Sequence, residues 1–329
     1  MSLWILNPNP VFDRTITIEE LVPGAVLRTL DVEITAGGKG INVARVLRSL
    51  GNRAPLIIPV GREDAKRYER LLASEGAEAN LVEVAGSIRT ASIYLEQNSP
   101  RITVVNDAGT PMSIGDWERA VDFVMSKVQP ADILLCMGSF PPGLESSVLA
   151  RLVERVHGAG ARILIDVNPQ LLAAALPSRP DVVTPNLEEA EAALTGAGTH
   201  TMDAAVDNPK AIRLRAELTA KELCRRGAVH SFVTAGAQGV AFASVDQEHW
   251  LPGCQIDLVS TVGAGDSFVG GLASKWGEAV AAGSDVDWWN AASFGIATSA
   301  SSCEQVLAGG IDPVRVVQLH TSMLGEARI

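Results

Sequence analysis

The sequence predicts an α/β protein with a mainly parallel sheet covered by helices on both faces, and a small separate β-sheet set over it as a lid. Three observations carry this reading. Short apolar runs alternate with amphipathic stretches along most of the 329 residues, the rhythm of strand, helix, strand. The runs are near-continuously apolar, as strands buried on both faces should be. Two regions break the rhythm, around 13–35 and 87–108. There β-forming residues interleave with polar ones and no helix intervenes, which suits a sheet with one wet face.

In chain order, "LWIL" (Leu3–Leu6) is the first buried strand, followed by the first lid segment. "GKGINVARVLRSL" then places Ile41, Ala44, Leu47 and Leu50 on one helical face. "APLIIPV" (Ala54–Val60) is a second buried strand, and "SIYLEQ" and "RITVV" supply the other lid segment. In "DWERAVDFVMSKV", Trp117, Val121, Val124, Met125 and Val128 form one apolar stripe. "ADILLCMG", "ARILIDVN", "DVVTPN" and "HSFVTA" are further buried strands. Residues Thr195 to Asn208 are small, polar and aperiodic, a surface excursion with no chemistry assigned. The expected organisation is one domain over 1–329, with the lid inserted at about 13–35 and 87–108.

Composition narrows the function. Lys and Arg total 27 against 38 Asp and Glu, a net charge of −11, so no overall basic field exists to hold a nucleic acid or an anionic membrane. No apolar run reaches the roughly 18 residues of a membrane span. The four cysteines form no CxxC pair, which suits a reducing cytoplasm.

Ligands of open α/β sheets bind beyond the carboxyl ends of the strands, so the loops there hold the candidate sites. "TAGGKGINVARVLRSL" sets Gly37, Gly38 and Gly40 around Lys39 at a helix start. Such a turn offers close backbone approach, free N–H groups and a point charge for an anion, although a plain tight turn would look the same. It is not a Walker A loop, since Gly40 follows Lys39. "TVGAGDSFVGGLAS" aims the amides of Gly263, Ala264 and Gly265 at the positive end of the next helix, with Asp266 beside them as a proton acceptor or a simple N-cap. Asn186 and Glu189 in "TPNLEEAEAAL" have capping-box spacing, and could also hold a hydrated Mg²⁺ near nucleotide phosphates. "VTAGAQGVAFAS" reads as a glycine-punctuated hairpin. Asp13 in "NPNPVFDRTI" follows the first strand, where a carboxylate can bind sugar hydroxyls or sit in a solvated turn. Neither HExxH nor GxSxG occurs.

Together these pieces resemble the PfkB branch of the ribokinase-like carbohydrate kinases over nearly the whole chain. "AGGKGINVARVLRSLG" is similar to that family's amino-terminal sugar-site motif and "TVGAGDSFVGGL" to its carboxy-terminal catalytic motif. "NPNPVFD", "GGKGINVARVL", "IRT" and "GSFPPGL" resemble most the phosphosugar kinases, of the 1-phosphofructokinase and tagatose-6-phosphate kinase type. The resemblance implies a ribokinase-like αβα sandwich with a β lid, ATP as donor and Mg²⁺ as the ion. It implies Asp266 as catalytic base and Gly263, Ala264 and Gly265 as anion hole. Asp13, Gly38, Lys39 and Asn42 would contact the sugar, Arg89 its phosphate, and Ser139 would lie at the edge of the sugar site. Asn186 and Glu189 would organise metal and phosphate, Glu189 through water. Thr234, Gly236 and Gly239 would form the nucleotide loop, with Asn290 near the base. Arg28 is a candidate second phosphate contact.

The expected reaction is transfer of a phosphoryl group from ATP to a primary hydroxyl of a ketohexose phosphate. Fructose 1-phosphate, fructose 6-phosphate and tagatose 6-phosphate all remain open as substrates. A kinase of free sugars or nucleosides is a rival on the same scaffold, and an idle sugar-binding regulator is a second. The basic pair Lys39 and Arg89 favours an anionic substrate. A homodimer paired through the lid sheet is expected.

Overall fold

The computed structural model describes residues 1–99, 101–196 and 208–326. In chain order the strands are β1 (Leu3–Leu6), β2 (Val11–Ile18), β3 (Asp31–Gly37), β4 (Leu56–Gly61), β5 (Ala79–Val84), β6 (Arg89–Glu96), β7 (Ile102–Asn106), β8 (Ile133–Met137), β9 (Arg162–Asp166), β10 (Val182–Val183), β11 (His230–Thr234), β12 (Gly239–Ala243) and β13 (Glu248–Pro252). The helices are α1 (Lys39–Ser49), α2 (Ala65–Ser74), α3 (Ile114–Lys127), α4 (Ser147–Gly158), α5 (Pro169–Ala175), α6 (Leu187–Thr195), α7 (Pro209–Arg225), α8 (Ala264–Ala282), α9 (Trp288–Cys303) and α10 (Pro313–Glu326).

Nine strands form the main sheet in the order β13-β12-β11-β10-β9-β8-β1-β4-β5. The pairings from β5 to β11 are parallel and only the β11-β12-β13 edge is antiparallel, so the mainly parallel expectation holds. The sheet is covered on both faces, which explains why its strands read as unbroken apolar runs. In β8, Leu134 and Cys136 face α3 to α7 while Ile133, Leu135 and Met137 face α1, α2, α8 and α9. Trp117, Val121 and Val124 turn the predicted stripe of α3 inward, and Ser113 caps that helix by accepting the Asp116 N–H.

A separate four-stranded sheet has the order β3-β2-β6-β7. It falls in the two regions predicted for the lid, the first segment beginning slightly earlier, at Val11, and the second slightly later, at Arg89. Phe12, Ile16 and Ile18 are buried, whereas the β2–β3 connection over 19–30 is mostly exposed. "DVVTPN" yields only two strand residues because Pro185 has no N–H to continue the ladder; pairing resumes as an isolated bridge between Asn186 and Thr234. Most of the excursion, 197–207, lies outside the described residues; at its borders Gly196 ends α6 in the left-handed region and Asn208 caps α7. Among the described residues no helix is long and apolar enough to cross a membrane.

Candidate active site

The site lies where β1, β8, β9 and β11 end, as expected of an open α/β sheet. Its first wall is the glycine turn between β3 and α1. Gly38 is the N-cap of α1 with φ +125°, and a Cβ there would stand 2.8 Å from Asn7 Oδ1. A Cβ on Gly37 would stand 2.0 Å from Asp13 Oδ2. Only glycine lets the β1–β2 connection and the Asp13 carboxyl lie against this turn. Asn7 Oδ1 accepts the Gly40 N–H at 3.1 Å, and Tyr68 donates its hydroxyl to the Gly37 carbonyl at 2.8 Å.

The opposing wall is the start of α8. Gly263 is its N-cap at φ +80°, leaving Asp266 as the third residue of the helix rather than its cap. The capping role open to Asp266 in the sequence is therefore not the one it fills. The Ala264 N–H turns back to the Thr261 carbonyl at 3.2 Å, while the N–H groups of Gly265 and Asp266 belong to the first turn, where a helix supplies no internal acceptor. The two motifs meet directly: Asn42 Nδ2 donates to Asp266 Oδ2 at 2.7 Å, across 224 residues of chain.

A charged cluster surrounds this contact. Lys39 Nζ lies 2.7 Å from Asp166 Oδ1 and 3.9 Å from Glu189 Oε1. Burial alone would lower the Lys39 ammonium, but Asp166, Asp266 and Glu189 hold it above its ordinary value. Asp266 is buried, and loss of solvent pushes its carboxyl up to about 6; Asp166 and Glu189 add to the rise, while Lys39 and the Asn42 hydrogen bond oppose it. Burial likewise raises Glu189, against the pull of Lys39. Asn186 and Glu189 do form the reciprocal capping box, with Glu189 Oε2 accepting the Asn186 N–H at 3.1 Å and Asn186 Oδ1 accepting the Glu189 N–H at 2.8 Å. The box leaves Glu189 Oε1 turned toward Lys39, so capping and a place in the cluster coexist. Asp166 and Glu189 thus offer two hard oxygen donors on either side of one cation. This set fits Mg²⁺, which is held by one or two carboxylates and otherwise by water and substrate phosphates.

At the far side of the glycine turn, burial raises the Asp13 carboxyl to about 6, although Arg45 and Arg89 both pull it down. Arg89 Nη2 reaches the Asn9 carbonyl at 3.5 Å, and its buried Nε has no hydrogen-bond partner. Asn9 Nδ2 donates to Ser139 Oγ at 3.2 Å, so Ser139 stands on the same rim as Arg89. A small hollow lined by Asn9, Ile88, Arg89, Thr110 and Pro141 opens here. Lys39 does not share this rim: its head is on the Asp266 side, bound to Asp166. Arg28 lies on the exposed β2–β3 connection.

Thr234, Gly236 and Gly239 lie on the tight β11–β12 hairpin next to Asn186, closed by Ala235 N–H donating to the Gly239 carbonyl at 2.8 Å. Gly239 is required for its fold, since a Cβ there would be 2.1 Å from the Leu251 carbonyl oxygen. Asn290 requires a correction. It sits in the first turn of α9, beside Trp288 and His230 at the amino-terminal end of the sheet. The end of α9 that touches the site is marked by Ser299, whose hydroxyl donates to the Ala264 carbonyl at 2.9 Å. Nine helical residues place Asn290 roughly 13 Å down the axis from Ser299, away from the start of α8.

Asp166, Arg45 and Asn7 are site residues that motif reading missed. Asp166 ends the run "RILID" and could have been found by asking which strands finish on a carboxylate.

A model of the pfkB family carbohydrate kinases matches residues 7–314. The chain belongs to that family. Among curated members, 1-phosphofructokinase of Xanthomonas campestris pv. campestris is 30% identical over 270 residues, covering 81% of each chain. 1-Phosphofructokinase of Escherichia coli K12 is 28% identical over 264 residues, covering 80% of each. Among solved structures, phosphofructokinase-2 from E. coli in complex with potassium superposes with a TM-score of 0.85 at 23% identity, covering 98% of this chain and 99% of that one. Ribokinase from Thermotoga maritima superposes with a TM-score of 0.68 at 18% identity, covering 99% of each. The fold is therefore ribokinase-like, and as a pfkB carbohydrate kinase the protein is a phosphotransferase acting on a sugar hydroxyl.

Proposed function

We propose that this pfkB kinase transfers the γ-phosphoryl group of ATP to a primary hydroxyl of a ketohexose phosphate, with Mg²⁺ as the ion, and works in the cytoplasm. The observation that carries the phosphosugar reading is Arg89: a part-buried guanidinium with Nε unpaired, beside Asp13. A buried donor left without a partner is costly, and a substrate phosphate would satisfy it. The curated relatives named 1-phosphofructokinase, and an E. coli phosphofructokinase-2 structure in complex with fructose-6-phosphate, support the same class.

In this reading Asp13 accepts hydrogen bonds from sugar hydroxyls, and Arg89 with Ser139 holds the phosphate end. Asp266 faces the acceptor hydroxyl and takes its proton as the new O–P bond forms and the β–γ bridge opens to ADP. Transfer of this kind asks for in-line placement and charge neutralisation more than for a strong base. The amides at the start of α8 and the Lys39 ammonium supply fixed positive potential where charge gathers. Asp166 and Glu189 would hold the ion, which would withdraw further charge from the phosphoryl group. The hairpin carrying Thr234, Gly236 and Gly239 with Asn186 borders the nucleotide. The four-stranded sheet acts as a lid that excludes water.

The test is an ATP-consumption assay over fructose 1-phosphate, fructose 6-phosphate, tagatose 6-phosphate, free fructose and ribose. Turnover is expected with one or more of the phosphorylated sugars. Turnover with free sugars alone would overturn the phosphosugar reading.

A further inference from the structure

Three residues past Asn42, α1 carries a charged side chain into the interior. Arg45 is 5% exposed, and each of the five N–H donors of its guanidinium has an acceptor. Nε and Nη2 grip Glu75 at 2.7 and 3.0 Å, and Nη2 also reaches the Ala36 carbonyl at 2.8 Å. Nη1 donates to Asn42 Oδ1 at 2.8 Å and to the Ala308 carbonyl at 3.4 Å.

We infer that Arg45 is a positioning residue for the proton-accepting carboxylate: by occupying Asn42 Oδ1 it forces the amide Nδ2 toward Asp266, which leaves Asp266 Oδ1 to face the acceptor hydroxyl. A guanidinium only donates, so the oxygen of the Asn42 amide must point to Arg45 and its nitrogen must point to Asp266. The reverse orientation would set the amide oxygen against a carboxylate oxygen. Two further contacts extend the same fork. Ala36 is next to the Gly37–Gly38 turn at the root of the four-stranded sheet, and Ala308 lies beside Gly309, whose backbone presses on Asn42 and backs Gly263. The orientation of the base is thereby tied to the turn that holds the sugar and to the loop behind the anion hole. The inference rests on Asp266 being the base.

Arg45→Lys tests it, because one ammonium keeps the charge near Glu75 but cannot reproduce the fork. The expected result is a fall in kcat of about tenfold with the KM for ATP changed less than about twofold, the split that follows when a group acts only in the chemical step. The acid limb of the kcat profile should move to higher pH, since a freed Asn42 amide no longer reliably donates to Asp266. The other groups facing Asp266 are Lys39 of α1, Asp166 of β9 and Glu189 of α6, and none of them is altered. In an Asn42→Ala background the same replacement should change kcat by less than about twofold, as a pathway through Asn42 requires. Equal losses in both backgrounds, or an unchanged kcat and pH profile in Arg45→Lys, would overturn the inference. If Arg45→Lys does not fold, Glu75→Gln loosens the fork from its far side and must shift the profile in the same direction; no shift there overturns it equally. An active Asp266→Asn enzyme would instead remove the base assignment itself, so the two failures are distinguishable.

Discussion

Asp266 carries a charge that its burial resists, and that tension makes its role measurable. Asp266→Asn keeps the shape and the Asn42 contact but cannot take a proton. Turnover should fall by at least about a hundredfold, the usual lower reach of a positioned acid/base group, while ATP still raises the melting temperature. Near-parent turnover would reject the assignment. Arg89 is tested by contrast between substrates. Arg89→Ala should raise the KM for a phosphorylated sugar at least about tenfold and leave the KM for ATP near its parent value, because only binding to the phosphate end is lost. Equal effects on both would remove Arg89 from the phosphate site. At the residue scale the sequence singled out Asp266, Asn42 and Asp13 because motifs carry them, and the first two do meet in the fold. Arg45 was not: a charge in "VARVLRSL" reads as a solvent face, yet α1 is buried on almost every side from Gly40 to Leu47. Asp166 was missed because its partner, Lys39, is 127 residues away, and the ion pair exists only once β9 and α1 converge.

The elements themselves were easier to read than their partners. Unbroken apolar runs announced the doubly covered strands, and polar interleaving announced the four-stranded sheet. Strand length was not visible at β10, where Pro185 cuts a promising run to two residues. The helix positions of Asn186 and Glu189 were clear, but the neighbour of Glu189 Oε1 was not. In the four-stranded sheet, Ile93 pairs with Val104 and Leu95 with Ile102, and the period-two rule puts all four on the face that carries Asp13. Ile102 and Val104 are exposed, and β3 and β7 are open edges. An apolar, two-edged sheet of this kind is a template for a second copy. The protein is expected to elute as a dimer, and Val104→Lys to shift its light-scattering mass toward the monomer; an unchanged mass would place any self-association elsewhere.

Across the whole molecule, the two raised carboxylates set activity and stability against each other. Asp13 and Asp266 titrate near 6 when folded and near 3.8 when unfolded. Between those values the folded state binds more protons, so their contribution to stability is complete below about 4 and is lost as pH rises through about 6. In the proposed reaction catalysis runs the other way, since Asp266 as the base must be ionised to accept a proton. The kcat profile is expected to rise through pH 6, while Asp266→Asn is expected to melt at a higher temperature than the parent at pH 8 and to lose that advantage by pH 4. A variant that melts lower than the parent at pH 8 would show that burying this carboxylate costs nothing.

The path of the chain around the turn has one more outcome. Asn7 to Pro10 runs from the main sheet into β2, and Gly37–Gly38 runs from β3 into α1, so both strands of one flap are rooted at the glycine turn proposed to hold the sugar. Asn186 and the β11–β12 hairpin, by contrast, are anchored to the main sheet. In the proposed reaction the acceptor half of the cleft would then be the compliant one and the donor half the stiff one. On the proposed assignment, a nucleotide is expected to bind without the sugar, and the sugar's berth to be completed as the flap closes over it.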